Sequence, residues 1–202
     1  MSTSGDTRTR RLFVALDPPP EAVAHLGAVV DGLEVSRANA PGRSTRLAAR
    51  DRWHVTLAFL GDVPEARVAE AAAVVAEAAA AAGGPISVSF AGGGKFGRGS
   101  FTILWAGVGG DLDALRALAD GVRRGLRRAR IPHDDKPFRP HLTISRPGAR
   151  VGADLIAADV ATLASYAGPA WPADAVHLVA SELGPHPRHT RVSSSPLPPL
   201  MR

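Results

Sequence analysis

Hydrophobic and polar positions along the chain follow two different periods. In some segments apolar residues alternate with polar ones or form short runs bounded by glycine and proline, which is typical of β-strands. In others they recur at every third or fourth position, which is typical of amphipathic α-helices. Strands are predicted at residues 11–19, 52–62, 86–90, 101–108, 175–183 and 190–194, and helices at 21–33, 64–84 and 111–129. The glycine-rich stretch 91–100 is predicted to be a connecting loop.

The segment RWHVTLAFLGD, residues 52–62, carries an imidazole and a hydroxyl inside an otherwise apolar strand. Because the side chains of a strand point alternately to opposite faces, His54 and Thr56 are expected on one face, with Leu57 and Phe59 on the other. A lone histidine of this kind is most often a satisfied structural residue. One copy of the pattern therefore says little about function.

The same layout recurs in the second half of the chain. His141 and Thr143 stand in the sequence HLTISR, so their spacing and apolar neighbours match those of His54 and Thr56. Each copy follows a predicted strand and helix, and the repeat therefore predicts two similar lobes whose His-x-Thr strands line one cleft. The later strands, 175–183 and 190–194, are expected to complete the sheet of the second lobe.

Composition narrows the classes of protein that fit. The chain has 202 residues, 45% of them hydrophobic, which is enough for one globular domain. We expect a single bilobal domain over residues 1–202 with a flexible tail at about 1–9. The chain has no cysteine, which excludes disulfides, thiolate metal sites and a cysteine nucleophile. Neither a signal-peptide pattern nor an apolar run of membrane-spanning length is present, so a cytoplasmic location is expected.

The net charge is +5, and arginine supplies nearly all of the positive charge, since Lys95 and Lys136 are the only lysines. The arginine guanidinium group binds phosphate through two parallel hydrogen bonds. A phosphate-bearing partner is one explanation of this charge, and a general arginine bias in an alanine-rich chain is the other.

Two imidazoles and two threonine hydroxyls across a cleft suit a displacement at phosphorus. One histidine can accept a proton while the other donates one. The hydroxyls can hydrogen-bond phosphate oxygens, and an imidazolium beside an arginine can offset developing charge without a metal. The arrangement fits a cyclic phosphate, because ring strain lowers the activation that the reaction needs. No cofactor is expected.

Further stretches make the chain resemble the 2H phosphoesterases, and within them the bacterial and archaeal RNA 2′,3′-cyclic phosphodiesterases, also called 2′-5′ RNA ligases. The resemblance covers almost the whole chain and rests on RLFVALDPP, WHVTLAFLGDV, GGGKFG, ILWAGV, KPFRPHLTISR and SELGPHPRH. It implies an α+β, two-lobed, pseudo-symmetric fold in which each lobe is an antiparallel sheet packed on helices, with a central cleft. It also implies a hydrolase that opens the 2′,3′-cyclic phosphate end of an RNA to a 2′-phosphate, with 2′-5′ ligation as the reverse reaction.

The resemblance assigns a role to each residue of the repeated motif. His54 and His141 are the implied acid and base, and Thr56 and Thr143 the implied phosphate-binding residues. By analogy, His54 protonates the leaving 3′ oxygen and His141 activates water, although the sequence is equally compatible with the reverse assignment.

The family also uses the position five residues after each histidine to hold the terminal base. Here these residues are Phe59 and Arg146, and stacking on a ring and a guanidinium plane predicts weak base preference. Strict alternation points both away from the histidines, so their role requires a bulge or a strand end. A further departure is His189, which stands where the family commonly has tyrosine.

Three other functions compete with this interpretation. A metallohydrolase would use His54, His141 and a third ligand such as His133 or Asp134, but the sequence has none of the established metal-ligand spacings. A non-catalytic RNA-binding module would use the basic surface equally well. A phosphodiesterase for small cyclic phosphates or 2′-5′ oligonucleotides would keep the same site. The expected partner is RNA and the expected state a monomer.

Overall fold

The structure is a computed structural model that describes residues 8–39, 44–182, 184 and 187–199. Of the tail predicted at 1–9, residues 1–7 lie outside the described residues, while Thr9 already begins the first strand. The strands are β1 (Thr9–Leu16), β2 (Val55–Pro64), β3 (Ile86–Phe96), β4 (Ile103–Gly110), β5 (His141–Ser145), β6 (Ala167–Ala173), β7 (Ala175–Glu182) and β8 (Arg188–Pro196). The α-helices are α1 (Pro20–Asp31), α2 (Glu34–Arg37), α3 (Val68–Ala80), α4 (Leu112–Arg128) and α5 (Ala153–Ala164).

The strands form two antiparallel sheets of four strands each, in the orders β2-β1-β7-β8 and β5-β4-β3-β6. In each sheet the His-x-Thr motif belongs to an edge strand, β2 or β5. Each of these strands follows its neighbour along the chain: β1 is followed by α1, α2 and then β2, and β4 by α4 and then β5. The two sheets are therefore related by the repeat seen in the sequence, and the predicted α+β, two-lobed fold is confirmed. We call the lobe of β2 the first lobe and that of β5 the second.

The last two strands complete the first lobe, and the prediction that they complete the second was wrong. In β7, His177 lies opposite Ala15 of β1, and β8 pairs with β7. The fourth strand of the second sheet is β6, which the sequence pattern did not predict because Pro169 and Pro172 disfavour a strand. An edge strand tolerates proline, since one side of it needs no ladder hydrogen bonds.

The helices cover the sheets and share their core. Asp111 caps the N-terminus of α4, its side chain accepting a hydrogen bond from the backbone N–H of Ala114 at 3.0 Å. Along one side of this helix, Leu115, Leu118, Val122 and Leu126 are buried. Helix α3 lies within the alanine-rich segment 64–84, which was predicted to be helical, whereas α2 and α5 were not predicted. One continuous cluster of buried side chains joins both sheets. Across the described part of the chain, no helix is long and apolar enough to cross a membrane.

Candidate active site

The two motif histidines are anchored in the same way. His54 lies just before β2, and its Nδ1 is 2.7 Å from the carbonyl oxygen of Arg52; His141 begins β5, and its Nδ1 is 2.6 Å from the carbonyl oxygen of Arg139. A carbonyl oxygen only accepts, so each Nδ1 carries a hydrogen and donates it. In the neutral form, Nε2 of each ring therefore holds the lone pair, and it is the atom that can take up or release a proton.

The surroundings of His54 favour its neutral form. Burial lowers the pKa of His54 below its usual value; the hydrogen bond to Arg52 and the charge of Asp17 oppose this shift. The charges of His141 and Arg146 lower the pKa of His54 further. His141 and Arg146, which belong to the second lobe, therefore lie close enough to His54 to influence its ionisation.

The two motif threonines lie two residues after the histidines. Thr56 faces Ala15 of β1 in the register of the first sheet, and Thr143 faces Trp105 of β4 in the second. Both are half-buried. Neither hydroxyl makes a hydrogen bond to any of the residues that the structure describes, so both are available to donate to a ligand.

A β-bulge interrupts alternation at the same place in both motif strands. Leu57 is the extra residue in β2, and Ile144 is the extra residue in β5; each comes three positions after its histidine. The prediction that Phe59 lies on the apolar face with Leu57 was wrong for this reason. Leu57 is fully buried, whereas Phe59 is 49% exposed. The bulge that the base-binding role requires is present before Phe59 and again before Arg146, which follows the last residue of β5.

Aromatic rings pack against both histidines. The ring of Phe13 lies 4.6 Å from that of His54 and 6.1 Å from that of Phe59, measured between centroids. In the second lobe, the ring of Phe96 lies 5.0 Å from that of His141 and stacks on Trp105 at 5.1 Å. These contacts restrict the orientation of both imidazoles.

The glycine-rich stretch 91–100 makes the packing of Phe96 and Trp105 beside His141 possible. It was predicted to be a loop, but β3 runs through it to Phe96. A Cβ atom on Gly94 would lie 2.8 Å from the ring of Trp105, too close for any other residue. Glycine at this position therefore lets the indole lie against β3, where it supports Phe96 beside His141.

A third histidine lies next to His54. The ring of His189 in β8 is 5.3 Å from that of His54 and 5.0 Å from that of Phe13. Burial, followed by the charge of His54, lowers the pKa of His189 to about 4, so this imidazole is neutral at physiological pH. The three rings border an open cavity of about 480 Å³ whose lining also includes Asp17 and Arg191.

The third ligand suggested for a metal site does not join the histidine pair. His133 bonds through Nδ1 to the carbonyl oxygen of Ile131 at 3.2 Å, and its Nε2 is 4.0 Å from a carboxylate oxygen of Asp135. Among the described residues, no group of three or more histidine, aspartate or glutamate side chains has the geometry of a metal site.

Comparison with known proteins places the chain in a family. A family model described as the 2′-5′ RNA ligase superfamily matches residues 18–185, which is most of the chain. The chain belongs to this superfamily. The resemblance identified from the sequence is thereby confirmed, and it agrees with the two-lobed fold.

Two relatives within the superfamily are both named RNA 2′,3′-cyclic phosphodiesterase. The Thermus thermophilus protein is 30% identical over 184 residues, which cover 87% of this chain and 83% of that protein. The Geobacillus stearothermophilus protein is 41% identical over 95 residues, but that alignment spans only 46% of this chain and 30% of the relative. The longer of the two alignments extends across both lobes.

Solved structures of similar proteins share the fold. A crystal structure of a Thermus thermophilus protein matches with a TM-score of 0.72 and 29% identity over 93% of this chain and 97% of that one. Apo LigT from E. coli matches with a TM-score of 0.70 and 21% identity over 94% of this chain and 98% of that one. At the latter identity the likeness concerns the fold alone.

Sequence reasoning missed the aromatic residues around the two His-x-Thr motifs. Phe13 was counted only as part of an apolar strand, although alternation places it on the same face as Ala15 and Asp17. Phe96 and Trp105 stand in stretches that supported the resemblance, but no role was assigned to them. The polar residue at the end of β1, Asp17, was the one local signal that this face borders a site.

Proposed function

We propose that the protein is an RNA 2′,3′-cyclic phosphodiesterase in which His54 and His141 act as a general acid and base. The observation that supports this most directly is the matched anchoring of the two imidazoles, each with Nδ1 held by a carbonyl and Nε2 left to exchange protons. The names of the superfamily relatives point to the same reaction. Such a pair suits a reaction that needs one proton removed and one delivered.

In the proposed reaction, water attacks the phosphorus of the cyclic phosphate and the bond to the 3′ oxygen breaks. One neutral Nε2 takes a proton from the water, and the other, protonated Nε2 gives a proton to the leaving 3′ oxygen. The hydroxyls of Thr56 and Thr143 donate to the non-bridging oxygens. The product is a 2′-phosphate with a free 3′ hydroxyl, and the two histidines have exchanged protonation states.

The lowered pKa of His54 bears on which of the two motif histidines is the general base and which is the general acid. Its lowered pKa makes the neutral form the more abundant one before substrate binds, which suits a base in the hydrolytic direction. A bound phosphate favours the protonated form of a neighbouring imidazole, which suits an acid. The family analogy names His54 as the acid, and the pH profiles of the two single variants distinguish the two assignments.

Phe59 and Arg146 are proposed to hold the terminal base. The bulge brings Phe59 to the face of Phe13, and Arg146 acts electrostatically on His54, so both residues border the proposed phosphate site. A ring and a guanidinium plane stack on any base, and weak base preference follows. RNA as partner, ligation as the reverse reaction, a monomeric state and a cytoplasmic location stay predictions.

The proposal is tested by turnover of a short RNA that ends in a 2′,3′-cyclic phosphate, measured in the presence of a strong chelator. His54→Ala and His141→Ala are each expected to lower kcat by about 10²- to 10⁴-fold, the usual contribution of general acid or base catalysis. His25→Ala, which removes an exposed histidine of α1, is the control and should keep wild-type turnover. A loss of tenfold or less in either motif variant contradicts the assigned roles.

A further inference from the structure

The segment that leads into each motif histidine is bonded to the motif strand of the other lobe. Before His54, the backbone N–H of Ala48 donates to the carbonyl oxygen of Ile144 at 2.8 Å. Before His141, the backbone N–H of Asp134 donates to the carbonyl oxygen of Phe59 at 2.8 Å. The two lobes are thus joined reciprocally, in each case next to the bulge.

The two joints differ in how the carbonyl of the bulged residue is bonded. In β5 this carbonyl belongs to Ile144, and it accepts from the backbone of Ala48. In β2 it belongs to Leu57, and it accepts from the side chain of Arg123 in α4, with an Nε to oxygen distance of 3.3 Å. The donor to the bulged carbonyl is therefore a side chain in the first lobe and a backbone N–H in the second.

The same guanidinium also holds the segment before His141. One of its NH groups donates to the carbonyl oxygen of Lys136 at 2.6 Å, and another lies 3.7 Å from a carboxylate oxygen of Asp134. Only 13% of the Arg123 side chain is exposed, and its guanidinium carbon lies 5.9 Å from the ring centroid of Phe138.

We propose that Arg123 is a positioning residue for the reaction: by joining the carbonyl of Leu57 to that of Lys136, it maintains the bulge that turns Phe59 into the cleft and fixes the segment that carries His141. The inference rests on the proposed function, because it concerns the placement of the base-binding and proton-transferring groups. Arg123 touches none of the proposed reacting atoms.

Lysine cannot replace this arginine. The guanidinium presents several donors in a rigid fork, and here they serve two carbonyls and a carboxylate at once. A lysine ammonium is a single point at the end of a flexible stem, so it can keep the charge next to Asp134 but not both carbonyl contacts. Arg123→Lys therefore separates charge from geometry.

The kinetic test compares Arg123→Lys and Arg123→Ala with Arg124→Ala, which removes the exposed neighbouring arginine of the same helix. Both Arg123 variants are expected to raise KM by roughly 5- to 150-fold, the range of a lost base–aromatic stack. Arg124→Ala should stay within about twofold of wild type, as expected of an exposed side chain away from the site. Combined with Phe59→Ala, the Arg123→Ala change should add little more, because residues that act through one another are not additive.

A second measurement does not depend on turnover. Hydrogen exchange of backbone amides should become faster at residues 55–60 and 133–140 in both Arg123 variants, and should not change there in Arg124→Ala. A purely structural role would speed exchange throughout α4 and leave the KM effect additive with that of Phe59→Ala. Wild-type KM and wild-type exchange in Arg123→Lys, or additivity in the double variant, would overturn the proposal. If the wild type does not open cyclic phosphate ends, the proposed function fails, and the exchange data still decide whether Arg123 holds the two segments.

Discussion

Phe59→Ala tests the consequence of the bulge in β2. The ring is 49% exposed, although a residue at this position in a regular strand would be buried with Leu57. In the proposed function this outward-facing ring stacks on the terminal base, so its loss should affect binding more than stability. The variant should therefore separate the two.

Both effects can be estimated. Full burial of a phenylalanine side chain stabilises a protein by about 1.5–3 kcal/mol, so losing a half-buried ring should cost at most about 1.5 kcal/mol of unfolding free energy. Stacking of one base on an aromatic side chain contributes about 1–3 kcal/mol. At about 1.4 kcal/mol for each factor of ten, KM should rise by roughly 5- to 150-fold.

The assay is steady-state hydrolysis of a short RNA with a 2′,3′-cyclic phosphate end. In Phe59→Ala, KM should rise while kcat falls by less than about fivefold, because the histidines are untouched. Phe59→Tyr, which keeps the ring, should behave as wild type. Leu155→Ala, which shortens another partly exposed apolar side chain on α5, controls for general surface effects. An unchanged KM in Phe59→Ala, or a collapse of kcat at constant KM, would refute the reasoning.

Three further predictions concern other parts of the molecule. Arg146→Ala should raise KM more than it lowers kcat, and a larger effect on kcat in turnover assays would speak against a binding role. His189 has a folded-state pKa of about 4 against an ordinary value of 6.5; the unfolded chain therefore binds more protons between these values, and the unfolding free energy should fall as pH drops from 6.5 to 4. In His189→Phe, the unfolding free energy measured by urea denaturation should fall less over this pH range, by up to about 3 kcal/mol. A pH dependence identical to that of the wild type would count against the lowered pKa of His189. Asp159 is 2% exposed and accepts hydrogen bonds from the backbone N–H groups of Glu34 at 2.6 Å and Val35 at 3.0 Å. Asp159→Ala should therefore lower the unfolding free energy by about 1–3 kcal/mol. An unfolding free energy equal to that of the surface variant Asp120→Ala would contradict this.

Local features of the fold could be predicted from the sequence. The alternating and helical periods indicate most strands and three of the helices, because burial of one face imposes them. The repeated His-x-Thr pattern also indicates a two-lobed architecture, since two copies in matching contexts fold alike. What the pattern cannot specify is which strands pair. The strands around His177 and His189 could complete either sheet. The first of them, β7, pairs with β1, which lies at the other end of the chain.

The candidate site shows the same division. His54 and His141 could be recognised because the motif is local and occurs twice. The bulges at Leu57 and Ile144 could not be placed, because a bulge depends on the partner strand and on donors from elsewhere. The proximity of His189 to His54 depends on β8 joining the first sheet. The sequence thus gives no role to the side chains that reach the site only because strands far apart in the sequence pair with each other.

The most direct test of the account is the chemical identity of the product formed from a cyclic phosphate end. Wild-type protein is incubated in chelator with an RNA that ends in a 2′,3′-cyclic phosphate, and the product is identified by mass and by ³¹P NMR. The account predicts a 2′-phosphate with a free 3′ hydroxyl, formed by the wild type and not by the variant that carries both His54→Ala and His141→Ala. An RNA that binds but keeps its cyclic end would contradict it and favour a binding module; a 3′-phosphate product, or equal turnover by the double variant, would contradict the proposed chemistry.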